Sequence, residues 1–278
     1  MKKWTMSVAL SVSAAAVMTG VLTTSASAHG PAPVSASAVA QHSVKPKAKP
    51  TVVLVTGAFE DGSAFSGVTS RLQHDGYTVI VPALSMRSLA GDVAYLQDLL
   101  KTVPGPLVLD GHSYGGMVIS EVAAANPNVE ALVYSAAFIP VAGESAGQLD
   151  SQFPGSLLGP DSTHTVDYGA GNDLYVNPGS FRALFAGDRS AADAAVAAAS
   201  QRPLDAAALT ESATAAAPAD IPKYAIVATQ DKAIPPAAEL FEAKRAGATV
   251  SEVRSAHDLP TTHPGAVAAV IEQAANHC

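Results

Sequence analysis

Cysteine is all but missing from this chain; the single example, Cys278, is its last residue. One thiol cannot close an internal disulfide, and C-x-x-C metal or redox sites are excluded. Charge is sparse too, at 14% of 278 residues, and positive charge is the scarcer kind: 16 Lys and Arg against 24 Asp and Glu. Lys2, Lys3, Lys45, Lys47 and Lys49 precede Pro50 with no acidic residue among them, so the whole-chain −8 leaves −13 on residues 50–278. Such a balance repels phosphate backbones and anionic lipid, which argues against nucleic acid as a partner. Stability must then come from an apolar core, for which 48% hydrophobic residues supply the material.

Long apolar runs are also absent. The longest candidate, Val8 to Leu22, is rich in Ser, Thr and Ala; it follows Lys2-Lys3 and precedes the small-residue triplet Ala26-Ser27-Ala28. That order reads as a secretory signal peptide over residues 1–28, not as a stable membrane span, so the expected mature chain is secreted. Residues 29–49 hold Pro, Ala, Ser and Lys with almost no large apolar side chain, the composition of a flexible linker. Residues 50–278 are long enough for one domain with a substantial core.

Within that domain strand and helix patterns alternate. Thr51 to Val55 is a continuous apolar run, as in a strand covered on both faces. A Gly-rich turn (Gly57 to Gly62) leads to a helix carrying Phe65, Val68 and Leu72, stopped by Asp75-Gly76. Tyr77 to Val81 reads as a strand ended by Pro82. Leu89, Val93, Leu96, Leu100 and Val103 then form one amphipathic stripe, closed by Pro104-Gly105-Pro106. A strand at Leu107 to Leu109, a helix through Met117, Val118, Val122 and Ala125, and a strand at Val129 to Ala136 follow. Residues 139–219 are rich in Gly, Pro, Ser and Ala. They read as an insertion serving as a lid, with short helices at Pro178 to Phe185 and Ala191 to Ala199. The alternation resumes with a strand at Tyr224 to Ala228, a helix at Pro236 to Ala246, a strand at Thr249 to Val253 and a helix at Pro264 to Ala275, capped by Thr262 or His263. This order predicts an α/β domain built on a mostly parallel sheet with helices on both faces.

Chemistry concentrates at Gly111-His112-Ser113-Tyr114-Gly115, between an apolar strand and a helix. A serine on such a turn projects its hydroxyl clear of the backbone, and the flanking glycines let the chain turn tightly. A serine nucleophile needs a base, and the base an orienting carboxylate, in the order Ser, acid, His, each in a loop after a strand. Asp231 follows the strand ending at Ala228, and His257 follows the last strand through Ser255-Ala256. His263 suits a helix cap, His277 is terminal, His74 and His164 fall in the wrong order, and His112 should point away from the substrate. Asp258, adjacent to His257, is not the expected orienter. The two amides of an oxyanion hole are expected from Tyr114 and from the turn after the first strand, at Ala58 with Phe59 as the alternative. Asp110 could tune His257 or bond a neighbouring turn, and the turn is preferred.

Thr51 to Phe59, the segment Gly111 to Gly116, Ala228 to Pro236 and Ser255 to His257 together resemble an α/β-hydrolase-fold serine esterase, more narrowly the bacterial hydrolases related to plant methyl esterases and hydroxynitrile lyases. The resemblance runs from Thr51 to Ala275 and implies a Ser113–Asp231–His257 triad with no cofactor or metal. Thr56 stands where relatives usually carry His. Gly57 and Asp258 stand where the lyase branch has Thr and Lys, which disfavours lyase chemistry. The expectation is a secreted carboxylic-ester hydrolase acting on a small or medium apolar ester. The same-fold alternatives are a lactonase, a hydroxynitrile-lyase-like enzyme or a cofactor-free haloperoxidase. A non-catalytic small-molecule binding protein and an envelope-associated structural protein are the alternatives from other classes. Oligomeric state is not legible.

Overall fold

The computed structural model describes residues 48–278. The signal-peptide reading, and the linker apart from its last two residues, lie outside the described residues.

In chain order the described elements begin with β1 (Thr51–Val55), α1 (Ser66–His74), β2 (Val79–Ile80), α2 (Leu89–Leu100), β3 (Leu107–Ser113), α3 (Gly115–Ala125) and β4 (Val129–Ala137). An inserted segment holds α4 (Ala146–Ser151), β5 (Thr163–Asp167), β6 (Asn172–Val176), α5 (Pro178–Leu184), α6 (Ala191–Ser200), β7 (Leu204–Asp205) and α7 (Ala206–Thr210). Then follow β8 (Lys223–Ala228), α8 (Pro236–Arg245), β9 (Thr249–Val253), α9 (Leu259–Thr262) and α10 (Pro264–Ala275). The main sheet has six strands in the order β2-β1-β3-β4-β8-β9, every pair parallel. The α/β-hydrolase fold expected from the sequence is therefore what forms.

Alternate residues of β1 feed two separate cores. Val52 and Leu54 pack with Phe65, Leu72, Val267 and Ile271 on the α1/α10 face, while Val53 and Val55 pack with Leu96, Met117 and Val122 on the α2/α3 face. That is the two-residue period of a pleated strand covered on both sides. Strand order reverses between β1 and β3, and in open sheets of this kind ligands sit outside the carboxyl ends of the strands at such a switch point. The residues there are Thr56 to Phe59 after β1 and Ser113 at the end of β3.

Three readings need correction. The strand expected over Tyr77 to Val81 is only Val79–Ile80, because β2 is an edge strand paired solely with β1 and Pro82 offers no donor to extend it. The insertion contains a three-stranded antiparallel sheet, β5-β6-β7, not only short helices. Its hairpin pairs Thr163 with Val176 and Asp167 with Asn172 around a turn whose Gly169 takes φ +83°. Asp110 bonds no turn: β3 runs on to Ser113, so Asp110 lies inside the sheet, fully buried, accepting from Ser135 Oγ at 2.8 Å across the β3–β4 pair.

The insertion is fastened at several points. Arg245 of α8 grips Glu144 through two nitrogens at 2.6 and 2.7 Å and holds the Ile139 carbonyl at 2.9 Å. Glu211 accepts the first amides of α2, Leu89 at 2.6 Å and Ala90 at 3.2 Å, where the helix dipole favours an anion. Among the described residues no helix is long and apolar enough to cross a membrane, and no cluster of three or more metal-ligating side chains occurs.

Burial pushes the Asp110 carboxyl up to about 7, and its second oxygen has no partner. Because the folded pKa lies above the unfolded value, the ionised group opposes folding at high pH and the opposition fades as pH falls. Asp110→Asn should therefore stabilise the fold more at about pH 8.5 than at about pH 5, by a difference on the order of 3 kcal/mol in denaturant titrations. A pH-independent effect would contradict a titrating Asp110.

Candidate active site

Ser113 sits where the chain must leave a strand and enter a helix without an intervening loop. Its φ is +54°, a left-handed conformation that side-chain-bearing residues rarely adopt. The turn is possible because its neighbours lack side chains: a Cβ on Gly111 would come within 2.7 Å of the Gly115 backbone. Gly57 is required from the other side, since a Cβ there would lie 2.5 Å from Ser113 Cβ.

His257 and Asp231 reach Ser113 from two other loops. Nε2 of His257 is 2.9 Å from Ser113 Oγ, and Nδ1 is 2.5 Å from Asp231 Oδ2. Asp231 is aimed by its other oxygen, which accepts the Ala233 amide at 2.7 Å and the Ile234 amide at 2.9 Å. All three side chains are nearly inaccessible, Ser113 the most exposed at 8%. The structure thus brings together the three residues selected from the sequence. Behind them, burial, with the Asp231 charge adding to it, holds Glu239 well above the usual carboxylate range.

The other histidines are elsewhere. His263 occupies the cap position of α10, but its ring bonds Thr262 Oγ1 at 2.9 Å and caps nothing. His164 stacks on Tyr175 in the insertion, His277 lies near Tyr224, and His74 is exposed at the end of α1. His112, fully buried, does not line the cavity in front of Ser113. Its Nδ1 is 2.5 Å from Glu60 Oε1 and its Nε2 2.9 Å from the His257 carbonyl. A carbonyl only accepts and a carboxylate only accepts, so both ring nitrogens carry protons and His112 is an imidazolium. Burial lowers its affinity for the proton, but the Glu60 charge and hydrogen bond outweigh this and raise its pKa to about 9.

Glu60 was missed in the sequence. The same oxygen that meets His112 also accepts the Gly57 amide at 2.9 Å, so one carboxylate joins the turn after β1 to the turn after β3. The Phe59 amide donates to the Arg202 carbonyl of the insertion at 2.9 Å. Phe59 is thereby occupied, and of the two expected positions Ala58 remains beside Ser113 in the cavity, with Tyr114 across from it. The Tyr114 ring is anchored below by its hydroxyl, which donates to buried Asp92 at 3.1 Å. Asp258 is ion-paired with Arg189, and the His257 ring is bonded by Asp231 and not by Asp258.

The cavity is narrow, about 50 Å³. Phe59, Phe138, Leu158, Phe185, Leu209 and Ile234 make most of its wall. Asp150, from α4 of the insertion, is the exception and had no signature in the sequence beyond being a rare charge in an Ala- and Gly-rich stretch.

The pattern matches known proteins. The family model described as alpha/beta hydrolase family matches residues 52–270. A carbendazim-hydrolyzing esterase from Nocardioides sp. (strain SG-4G) is 35% identical over 106 residues, 34% of this chain and 44% of that protein, so the match spans less than half of that relative. Among solved structures, a pyrethroid hydrolase from Sphingobium faniae JZ-2 superposes with TM-score 0.67 at 21% identity, covering 82% of this chain and 97% of the other. A polyneuridine aldehyde esterase gives TM-score 0.70 at 18% identity, covering 81% and 99%. At these identities the two structures speak to the fold.

Since the folded pKa of His112 exceeds the unfolded value near 6.5, its pairing with Glu60 contributes fully below about pH 6.5 and is lost as pH rises through about 9. Wild-type unfolding free energy should fall by a few kcal/mol across that window, on the order of 3 from this group, and Glu60→Gln should flatten the slope. An unaltered slope in the variant would show that His112 is not the titrating group.

Proposed function

Because the chain belongs to the alpha/beta hydrolase family, we propose that it is a secreted serine esterase working through Ser113, His257 and Asp231. The observation that carries this reading is the unbroken line from Ser113 Oγ to His257 Nε2, and from His257 Nδ1 to Asp231 Oδ2, opening on an apolar cavity. His257 takes the proton as Ser113 attacks the ester carbonyl, and Asp231 stabilises the imidazolium that forms. The negative oxygen of the tetrahedral intermediate is held by the amides of Ala58 and Tyr114, the latter at the positive end of α3. Collapse expels the alcohol, protonated by His257, and leaves an acyl group on Ser113. Water, deprotonated by His257, then releases the acid. No cofactor enters these steps.

Ester cleavage is supported by the relatives, one named as a carbendazim-hydrolyzing esterase and one as a pyrethroid hydrolase. The tight wall of the cavity favours a small, mainly apolar substrate, with the insertion acting as its lid. Export follows from the reading of residues 1–28.

Hydrolysis of p-nitrophenyl acetate and butanoate should exceed that of the octanoate. Asp231→Asn should lower kcat by about 10⁴-fold and Ser113→Ala should lower it at least as much. A fluorophosphonate should label the wild type but not Ser113→Ala. Equal hydrolysis by the wild type and the Ser113 variant would remove the proposal.

A further inference from the structure

Asp150 lines a cavity that is otherwise apolar apart from the reacting groups. Each other polar side chain in that wall is already engaged: Ser113 with His257, His257 with Asp231, and the Tyr114 hydroxyl with Asp92. Oδ1 of Asp150 is shut off from solvent and has no hydrogen-bond partner. The helix dipole does not explain the residue either. It lies next to the last residue of α4, where the carbonyl end of a helix disfavours an anion.

Its place in the wall is informative as well. Gly147, Asp150, Leu158 and Leu209 border both the cavity and a larger outer groove of about 580 Å³. No lysine or arginine lines either space, so neither offers a counter-charge to an anionic substrate. Burial pushes the Asp150 carboxyl up to about 6, opposed by a hydrogen-bonding interaction with the Ser156 side chain and by His257, while the Asp231 charge adds to the rise; the group is mainly ionised near neutral pH.

We propose that Asp150 is the specificity-determining residue of this cavity, selecting small esters whose acyl or alcohol part carries a protonated amine. The proposal rests on the esterase reading above and names the substrate class within it. An ammonium group supplies the counter-charge that a carboxylate in an apolar wall otherwise lacks. A neutral isostere supplies none, and a site built around a polar partner rejects the analogue without it more strongly than it senses a methylene. The apolar remainder of the wall packs the carbon chain on either side.

The test compares matched pairs. 4-Nitrophenyl 3-aminopropanoate against 4-nitrophenyl butanoate probes the acyl side. 2-(Dimethylamino)ethyl butanoate against 3-methylbutyl butanoate probes the alcohol side. After subtraction of spontaneous hydrolysis, the amine-to-neutral ratio of kcat/KM in at least one pair should be about tenfold or more higher in the wild type than in Asp150→Asn, mainly through KM. A ratio unchanged by the substitution, with Ser113-dependent hydrolysis of the neutral esters intact, would overturn the role of Asp150 and leave the esterase reading standing. Absence of any Ser113-dependent hydrolysis would overturn both. Should Asp150→Asn fail to fold, the wild type alone decides. Butylammonium should inhibit 4-nitrophenyl butanoate hydrolysis competitively at roughly a tenth of the concentration needed for 1-butanol, and equal inhibition by the two would overturn the proposal.

Discussion

The buried cation of His112 is the joint on which the site depends. Glu60, three residues past Gly57, accepts a hydrogen bond from one of its N–H groups, and the backbone carbonyl of His257 accepts from the other. The joint therefore spans the turns after β1, β3 and β9, which are separated by more than 140 residues of sequence at the widest contact, His112 to His257 at 145. A neutral imidazole could satisfy only one of two accepting partners, so the charge is dictated by the geometry and not merely tolerated by it. What this fixes is distance: Ser113 is the next residue after His112, and its hydroxyl and the His257 ring are set at 2.9 Å. A buried ion pair contributes little net stability in general, but it is strongly directional. Here direction is the useful property.

The insertion completes what the joint begins. Phe185 presents its carbonyl to the Asp258 amide at 3.1 Å, Asp188 accepts the Ala256 amide at 2.7 Å, and Arg189 pairs with Asp258. These three contacts hold the His257 loop in addition to the bond from His112 to the His257 carbonyl. The edge of Phe185 also meets the His257 ring, 4.8 Å between centroids. By engaging Phe59 through Arg202, the same segment decides which amide of the first turn remains near Ser113. An insertion tied this closely borders a small chamber of about 50 Å³.

Much of this was legible in the sequence because it is periodic or local. Val52 to Val55 could be read as a doubly covered strand, and Gly111 to Gly115 as a tight turn, since both depend on residues next to each other. Ser113, Asp231 and His257 could be chosen because chain order and loop position limit the candidates. The rest depends on tertiary contact. Nothing local marks Glu60 as the partner of a residue 52 positions away. The β5–β6 hairpin is hard to read because Thr163 to Asp167 is mostly polar and exposed, and the apolar run of its partner strand, Leu174 to Val176, is only three residues long, although their glycine-bearing turn is a usable signal. Asp110 was assigned to a turn because the strand was ended at Leu109, four residues short.

The acidic excess also reads differently once the fold is known. Glu60, Asp92, Asp110, Glu121, Asp173, Asp205, Asp231, Glu239, Glu242 and Asp258 are all buried, so the charge balance is not simply a property of the surface. Many of these carboxyls act as clasps on backbone amides: Asp92 on Met86 at 3.0 Å, Glu242 on Ile139 at 2.6 Å, Glu239 on Ala228 at 3.2 Å. In a chain with a single cysteine, such clasps do the loop-holding that disulfides perform in other small-core proteins. The pattern has a signature, one oxygen bonded and the other orphaned, seen in Glu60, Asp110, Glu239, Glu242 and Asp258. For Asp110, Glu239 and Glu242 burial answers the orphan by raising the pKa toward the neutral acid. Asp150 shares the orphaned oxygen but clasps no backbone amide and opens on the cavity. A carboxyl that holds no backbone amide and lines the same cavity as the reacting serine is placed to meet a substrate.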